Sequence, residues 1–135
     1  MHALVVSSGT LTLQRNVAIQ NVTGATVTIN NGATLNLSTF TLNRAGATGT
    51  NNFTINGKLQ LASNTGGQTG SNFPTSNFTF ALGANSEVEY NAGNTVVQTV
   101  FAGVTYANLT LTNGSGVGTG IPPSVKRATA NLTIN

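Results

Sequence analysis

Residues 11–37, LTLQRNVAIQNVTGATVTINNGATLNL, decide the fold of this chain. One set of apolar residues within them shares odd parity: Leu11, Leu13, Val17, Ile19, Ala25, Val27, Ile29, Ala33, Leu35 and Leu37. A β-strand turns successive side chains to opposite faces and is usually about 5 to 6 residues long. A chain that keeps one phase of alternation over so long a run has to bend repeatedly while the same side faces inward. The run therefore predicts a chain that winds around a core.

The same alternation returns twice further along the chain. The two later sets are Phe53, Ile55, Leu59 and Leu61, and then Phe78, Phe80, Leu82, Ala84, Val88 and Tyr90. Within each unit the strands are separated by a Gly-containing corner, at Asn30-Asn31-Gly32, at Asn56-Gly57 and at Gly83. Asn-Gly steps supply the positive φ angles that a tight corner requires. We therefore expect each unit to be strand, corner, strand.

A triplet of apolar residue, Thr and apolar residue marks these units and recurs at regular steps. Val27 to Phe53 is 26 positions, Phe53 to Phe78 is 25, and Leu109 to Leu132 is 23. A fixed period between 20 and 50 residues is typical of a solenoid or an array. The longer step from Phe78 to Leu109 is then expected to contain an insertion.

The pattern predicts an all-β protein, a parallel β-solenoid with coils of roughly 25 residues, formed by one domain over residues 1–135. The alternative is an antiparallel β-sandwich or jelly roll with a donated terminal strand, because Asn-Gly between alternating strands also signals a hairpin. A two-residue hairpin at Asn56-Gly57 would split the apolar residues across two faces, although a three-residue loop would restore the match. Parity and spacing together favour the solenoid.

The composition narrows the classes of function. Charged residues are 5% of the chain and apolar residues 39%. Disordered segments are typically rich in charge and poor in apolar residues, so the chain is expected to be ordered. The net charge of +3 arises from five basic residues against two acidic ones, and only Lys126 and Arg127 are adjacent. Nucleic-acid binding needs a clustered basic surface, so it is not expected. The chain has no Cys, Asp or Trp, and we expect no disulfide, metal or cofactor and no membrane insertion.

Glu87 and Glu89 are the only candidates for acid–base catalysis. On a strand they share one face at about 7 Å, a separation that inverting glycosidases use. Val88 and Tyr90 are predicted to point inward, however, which leaves both glutamates facing water. No charged third group lies near them in sequence to shift a pKa. The chain is therefore predicted not to be an enzyme.

The units VTINNGATLNL, FTINGKLQL and FTFALGANSEVEY, followed by YANLTLTNGSG and a closing ANLTIN, resemble the Thr/Asn/Gly-rich β-helical repeats of large bacterial surface and secreted adhesin-like proteins. The resemblance covers most of the chain from Leu11 onward. It implies a location outside the cell or on its surface and a non-enzymatic role. Those proteins are long arrays, whereas this chain is short.

Both ends of the sequence read as strands, and a solenoid leaves unpaired backbone groups at its two open edges. The predicted self-assembly interface comprises Leu4, Val5, Val6, Leu132, Thr133 and Ile134. The predicted function is a subunit or module of a surface fibre that assembles head to tail, with copies of itself as partners. The alternative is a glycan- or ice-binding module on the same scaffold, for which cell-surface glycans are the partner and outward Thr pairs such as Thr26 and Thr28 form the surface.

Overall fold

The computed structural model describes residues 1–46, 51–68, 70–74, 77–93 and 96–112, together with the backbone of 126–128 and 133–134. All the regular secondary structure in these residues is β-strand. The strands are β1 (Ala3–Val6), β2 (Thr10–Thr12), β3 (Val17–Ile19), β4 (Thr26–Ile29), β5 (Thr34–Asn36), β6 (Leu42–Arg44), β7 (Asn51–Ile55), β8 (Lys58–Leu61), β9 (Phe78–Leu82), β10 (Glu87–Tyr90), β11 (Gln98–Val100), β12 (Thr105–Tyr106), β13 (Asn108–Leu111), β14 (Lys126–Ala128) and β15 (Thr133–Ile134).

The strands stack into a parallel β-solenoid of about four turns. Sheet 1 has the order β1-β4-β7-β9, and sheet 2 has the order β2-β5-β8-β10-β13. Three further pairs, β3-β6, β11-β14 and β12-β15, complete the pairing. Each of these pairings is parallel, which confirms the predicted solenoid. The alternative antiparallel sandwich is wrong.

Inward residues of successive coils stand in columns because the register is kept. One column of sheet 1 contains Leu4, Val27, Phe53 and Phe80. The matching column of sheet 2 contains Leu11, Leu35, Leu59, Val88 and Leu109. The central members of both columns have no exposed surface. Burying these side chains in contact with their equivalents above and below is the main favourable contribution to the stack.

The repeat alignment taken from the Thr triplets was wrong in two places. Phe53 pairs with Phe80 and not with Phe78, so the strand is shifted by two residues, which preserves the inward phase. Leu109 and Leu111 belong to sheet 2, where they pair with Val88 and Tyr90. A triplet of apolar residue, Thr and apolar residue suits any half-buried strand, so it identifies strands without identifying which sheet they join.

The predicted core is confirmed except at the ends of the stack. Leu11 is exposed and Val17 half-buried, since both lie in the first coil and are covered from one side only. In the fourth coil Phe80 and Leu82 are half-buried and Ala84 is exposed. The remaining residues of the predicted inward sets are buried. Parity therefore identified the inward face, whereas burial also depends on a neighbouring coil.

The Gly corners are required for two different reasons. Gly32 has φ 76°, as the sequence predicted. Gly57 and Gly83 are not among the positive-φ glycines. A Cβ atom on Gly57 would lie 2.3 Å from the carbonyl oxygens of both Ala33 and Asn30, so this corner needs Gly because the preceding coil passes so close to it.

Two buried amide side chains join successive coils on the third side of the solenoid. Asn72 Nδ2 donates to the carbonyls of Ser38 and Phe40 at 2.9 and 2.8 Å. One coil later, Gln98 Nε2 donates to the carbonyls of Leu61 and Ser63 at 3.0 and 3.1 Å. Each amide donates to two carbonyls of the coil before it, in addition to the backbone N–H groups that Ser38, Leu61 and Ser63 already accept. Asn72, which follows a Gly-rich segment, is thus a buried anchor between two coils.

Candidate functional site

The outer face of sheet 2 carries the one concentration of charge in the described residues. Glu87 and Glu89 on β10 are the only acidic residues of the chain, and Lys58 lies beside them on β8. Lys58 Nζ is 3.2 Å from Glu87 Oε1 and 2.8 Å from Glu89 Oε2. A single ammonium group therefore forms ion pairs with both carboxylates across one strand pair and balances one of their two negative charges.

Neutral side chains complete this polar cluster. Gln60 Nε2 donates to Glu89 Oε2 at 2.7 Å, and the hydroxyl of Thr112 donates to Glu89 Oε1 at 2.7 Å. The hydroxyl of Thr110 donates to Glu87 Oε1 at 2.7 Å. The cluster thus spans three coils, and its members cover Glu89, which is 9% exposed. The expectation that both glutamates simply face water was wrong, because neighbouring coils contribute long polar side chains that close over Glu89.

The protonation states follow from these contacts. Burial by itself would raise the pKa of Glu89, but hydrogen bonds from Gln60, Lys58 and Thr112 outweigh it and hold the pKa below the ordinary value. The hydrogen bond to Glu89 likewise raises the pKa of Lys58 above its ordinary value. Glu89 therefore stays ionised at neutral pH and has no proton to donate. The ammonium group occupies the space between the carboxylates in which an inverting glycosidase would hold its water.

The sequence missed Lys58, Gln60, Thr110 and Thr112 as partners of the glutamates. A signal for two of them was present, because aligning Leu59 with Val88 places Lys58 and Gln60 directly beside Glu87 and Glu89. The contacts of the two threonines could not be predicted from such an alignment. Their hydrogen bonds run diagonally to residues of the preceding coil, and the coil length changes between β10 and β13.

The outer face of sheet 1 is neutral and carries small polar residues in register. One outward column contains Ala3, Thr26, Asn52 and Thr79, and the other contains Val5, Thr28, Thr54 and Ala81. The parallel register makes Thr28 and Thr54 direct neighbours on this face.

The residues predicted for self-assembly fall at the first coil and at the far strands. On β1, Val5 is 57% exposed and Leu4 half-buried, whereas Val6 is buried in the core. Thr133 and Ile134 form β15, whose side chains are outside the described residues, as is the whole of Leu132. Within the described residues β1 pairs only with β4, so its other edge is open.

A cleft lies beside β9, the last strand of sheet 1 in the described residues. In the described residues sheet 2 continues from β10 to β13, whereas sheet 1 ends at β9 and β12 pairs with β15. The cleft between β9 and β12 has a volume of about 520 Å³. Its walls include Phe80, Leu82, Phe101, Gly103, Val104 and Thr105.

The aromatic residues line the core and this cleft rather than forming an exposed platform. Phe73 and Tyr106 are fully buried, and Phe40 and Phe101 are half-buried. Phe73 packs against Phe80 and Phe101 with ring centroids 5.0 and 4.9 Å apart. Flat stacking on a sugar ring would need an open aromatic face, and none of these four rings is on an exposed residue.

The described part of the chain holds no group of three or more His, Cys, Asp or Glu side chains that could bind a metal ion. It also contains no helix with the length and apolarity to cross a membrane. No family model, no curated protein and no solved structure matches the chain significantly.

Proposed function

We propose that this chain is a non-enzymatic structural protein of the cell exterior, a module or subunit of a surface fibre that assembles head to tail through strand pairing. The open edges of the first coil carry the proposal. In the described residues β1 and β2 each pair on one side only, and the apolar Val5 and Leu11 on these strands are exposed. Such an edge is a template for a strand of another chain.

Electrostatics favours association of copies. Charged residues are 5% of the chain, and the two acidic side chains are held by Lys58. Little net repulsion therefore opposes the stacking of one copy on another. A head-to-tail contact between unlike surfaces does not close on itself, so it produces a fibre.

The ionised, anchored state of Glu89 supports the non-enzymatic part of the proposal. General acid catalysis requires a group that holds a proton near the working pH. The contacts of Glu89 instead keep its carboxyl group deprotonated, and its partners occupy the space a substrate would need. The resemblance to adhesin-like repeats supports the extracellular location, with copies of the chain as the main partner and cell-surface glycans as a second.

Electron microscopy over a concentration series, with sedimentation of the same samples, tests the proposal. We expect filaments with a regular axial repeat and a sedimenting fraction that grows with concentration. A monomer at every concentration would contradict self-assembly.

A binding role for the outer face of sheet 1 is the second candidate. Thr28 and Thr54 stand in register on this face beside the column of Thr26, Asn52 and Thr79, which favours recognition of a flat repeating surface such as ice. Replacing Thr28 and Thr54 with Lys should then abolish thermal hysteresis. Thr10→Lys on sheet 2 is the matched control and should leave it unchanged.

A further inference from the structure

The free edge of β9 presents backbone groups toward the cleft. Gly83 N–H donates to Ile55 O, and Asn51 N–H donates to Asn77 O, so the odd residues around β9 bond to β7. In a parallel ladder alternate residues bond to opposite neighbours, which directs the N–H and C=O groups of Phe78, Phe80 and Leu82 to the other side. In the described residues β9 has no strand partner there. A peptide backbone satisfies such an edge, whereas a lipid or an aromatic molecule does not.

The side chains beside this edge specify the strand that fits. Phe80 and Leu82 are the last members of the two inward columns of sheet 1 in the described residues, and both are half-buried. A strand that continued the sheet would place one apolar residue over each of them, two positions apart. At the opposite end of the same columns stand Leu4 and Val6 of β1. The chain itself therefore contains a strand of the required pattern.

β1 is the other edge strand of sheet 1. In the described residues it pairs with β4 alone, and its burial pattern is exposed, half-buried, exposed, buried. The residues that line the cleft are all uncharged, and so are Ala3, Leu4, Val5 and Val6. Gly103, Val104 and Thr105 line the cleft together with Phe80 and Leu82 of β9.

We infer that the cleft receives β1 of a second copy as a donated strand, which extends sheet 1 in register beyond β9. This inference rests on the proposed self-assembly and names its acceptor. Leu4 of the donor lies over Phe80 and Val6 over Leu82, while Val5 stands beside Ala81 on the outer face. In the described part of its own chain β1 is paired along one edge only. In the cleft the donated strand lies between β9 and β12 and has backbone along both edges.

Disulfide trapping tests the register, because the chain has no cysteine of its own. Val5→Cys and Ala81→Cys are prepared as separate proteins, mixed and oxidised. We expect a disulfide-linked dimer joining one of each, since outward residues paired on adjacent strands lie within disulfide reach. Val5→Cys mixed with Thr54→Cys is the matched control, because β7 is paired on both edges and has no place for another strand. A double variant, Thr54→Cys with Ala81→Cys in one chain, calibrates the chemistry.

A synthetic peptide of residues 2–8 provides the second measurement. It should reduce both the trapped dimer and the sedimenting fraction, whereas the same peptide with Leu4→Asp and Val6→Asp should do neither. Assembly without the Val5–Ala81 bridge would overturn the inference and leave the proposed fibre standing. Absence of both assembly and bridge would overturn both.

Discussion

Tyr90 and Tyr106 share a hydrogen bond of 3.0 Å between their hydroxyl oxygens in the fully buried core. The N–H of Phe101 donates to Tyr90 Oη at 2.9 Å, and the hydroxyl of Tyr106 donates to the Phe101 carbonyl. Tyr90 must then donate to Tyr106, which closes a ring of three hydrogen bonds. This ring fixes the backbone of Phe101 on the segment that leads from β11 into β12, beside the cleft.

The ring makes the protein sensitive to alkali. Burial raises the pKa of Tyr90 to about 12 and raises that of Tyr106 as well. A pKa that is raised by folding gives stability that is complete below the unfolded value, about 10, and is lost as the pH rises through the folded value. We expect the free energy of unfolding, measured with denaturant, to fall steeply between about pH 10 and pH 12.

Tyr90→Phe tests this account at a single atom. Without the hydroxyl, the N–H of Phe101 has no acceptor, and we expect a loss of about 1–3 kcal/mol in the free energy of unfolding at neutral pH. The decrease in the free energy of unfolding at alkaline pH should also become shallower, because only one of the two tyrosines with a raised pKa remains. A decrease identical to that of the unchanged protein would show that other groups control it.

The Lys58–Glu89 pair predicts the response to acid. The pKa of Glu89 is lowered by folding, so its contribution to stability is present above the unfolded value of about 4.3 and is lost as the pH falls through the folded one. Glu89→Gln should flatten the acid limb of the stability profile. A double-mutant cycle with Lys58→Met should give a coupling energy of about 1 kcal/mol. A coupling of zero would mean that Gln60 and Thr112 alone stabilise the carboxylate.

Three Gly→Ala substitutions separate backbone strain from steric clash. Gly57→Ala should cost the most, above about 2 kcal/mol, because its Cβ atom would overlap two carbonyl oxygens. Gly32→Ala should cost about 1 kcal/mol through its positive φ, since the space around it is open. Gly93→Ala meets neither problem and is the control, with a change below about 0.5 kcal/mol. Equal effects at the three sites would contradict the assigned causes.

The amide at Asn72 gives a fourth prediction. Asn72→Asp keeps the shape but removes the two donated hydrogens, leaving the carbonyls of Ser38 and Phe40 facing a carboxylate. We expect a loss of more than about 2 kcal/mol by thermal or denaturant unfolding. Asn52→Asp, on an exposed residue of sheet 1, is the control and should change stability by less than about 0.5 kcal/mol.

Removal of Leu132–Asn135 gives the fifth prediction. β15 is the described strand partner of β12, and β12 forms a wall of the cleft, so the shortened chain should lose fibre formation and stay a soluble monomer. Sedimentation at the highest concentration of the series measures this. Unchanged polymer formation by the shortened chain would count against strand-mediated joints.

Much of the fold could be predicted from the sequence, because a parallel solenoid depends on a simple alternation. Residues such as Phe53 and Leu59 were placed in the core by parity alone. The shift between Phe53 and Phe80 could not be predicted, because coil length varies from 21 residues, between Glu87 and Asn108, to 29, between Lys58 and Glu87. Corners absorb that variation through local backbone geometry, which residue type specifies only weakly.

The candidate sites were harder to predict from the sequence, because they depend on side chains from different coils. The contact of Lys58 with Glu89 follows only after the register is known. The burial of Arg44, a charged residue in an inward position on β6, had no signal in the sequence. The cleft beside β9 is a missing pairing, and alternation of residues does not report whether a strand has a neighbour.

The interruption of sheet 1 between β9 and β12 also has a mechanical meaning. Ladder hydrogen bonds of a parallel stack run along its axis, so a pull along that axis loads them in tension. At most levels several sheets share the load, but among the strands that the structure describes sheet 1 contributes no ladder at this level. Under stretching, the stack should part first at this plane, and a strand bound in the cleft would strengthen the fibre at its weakest joint.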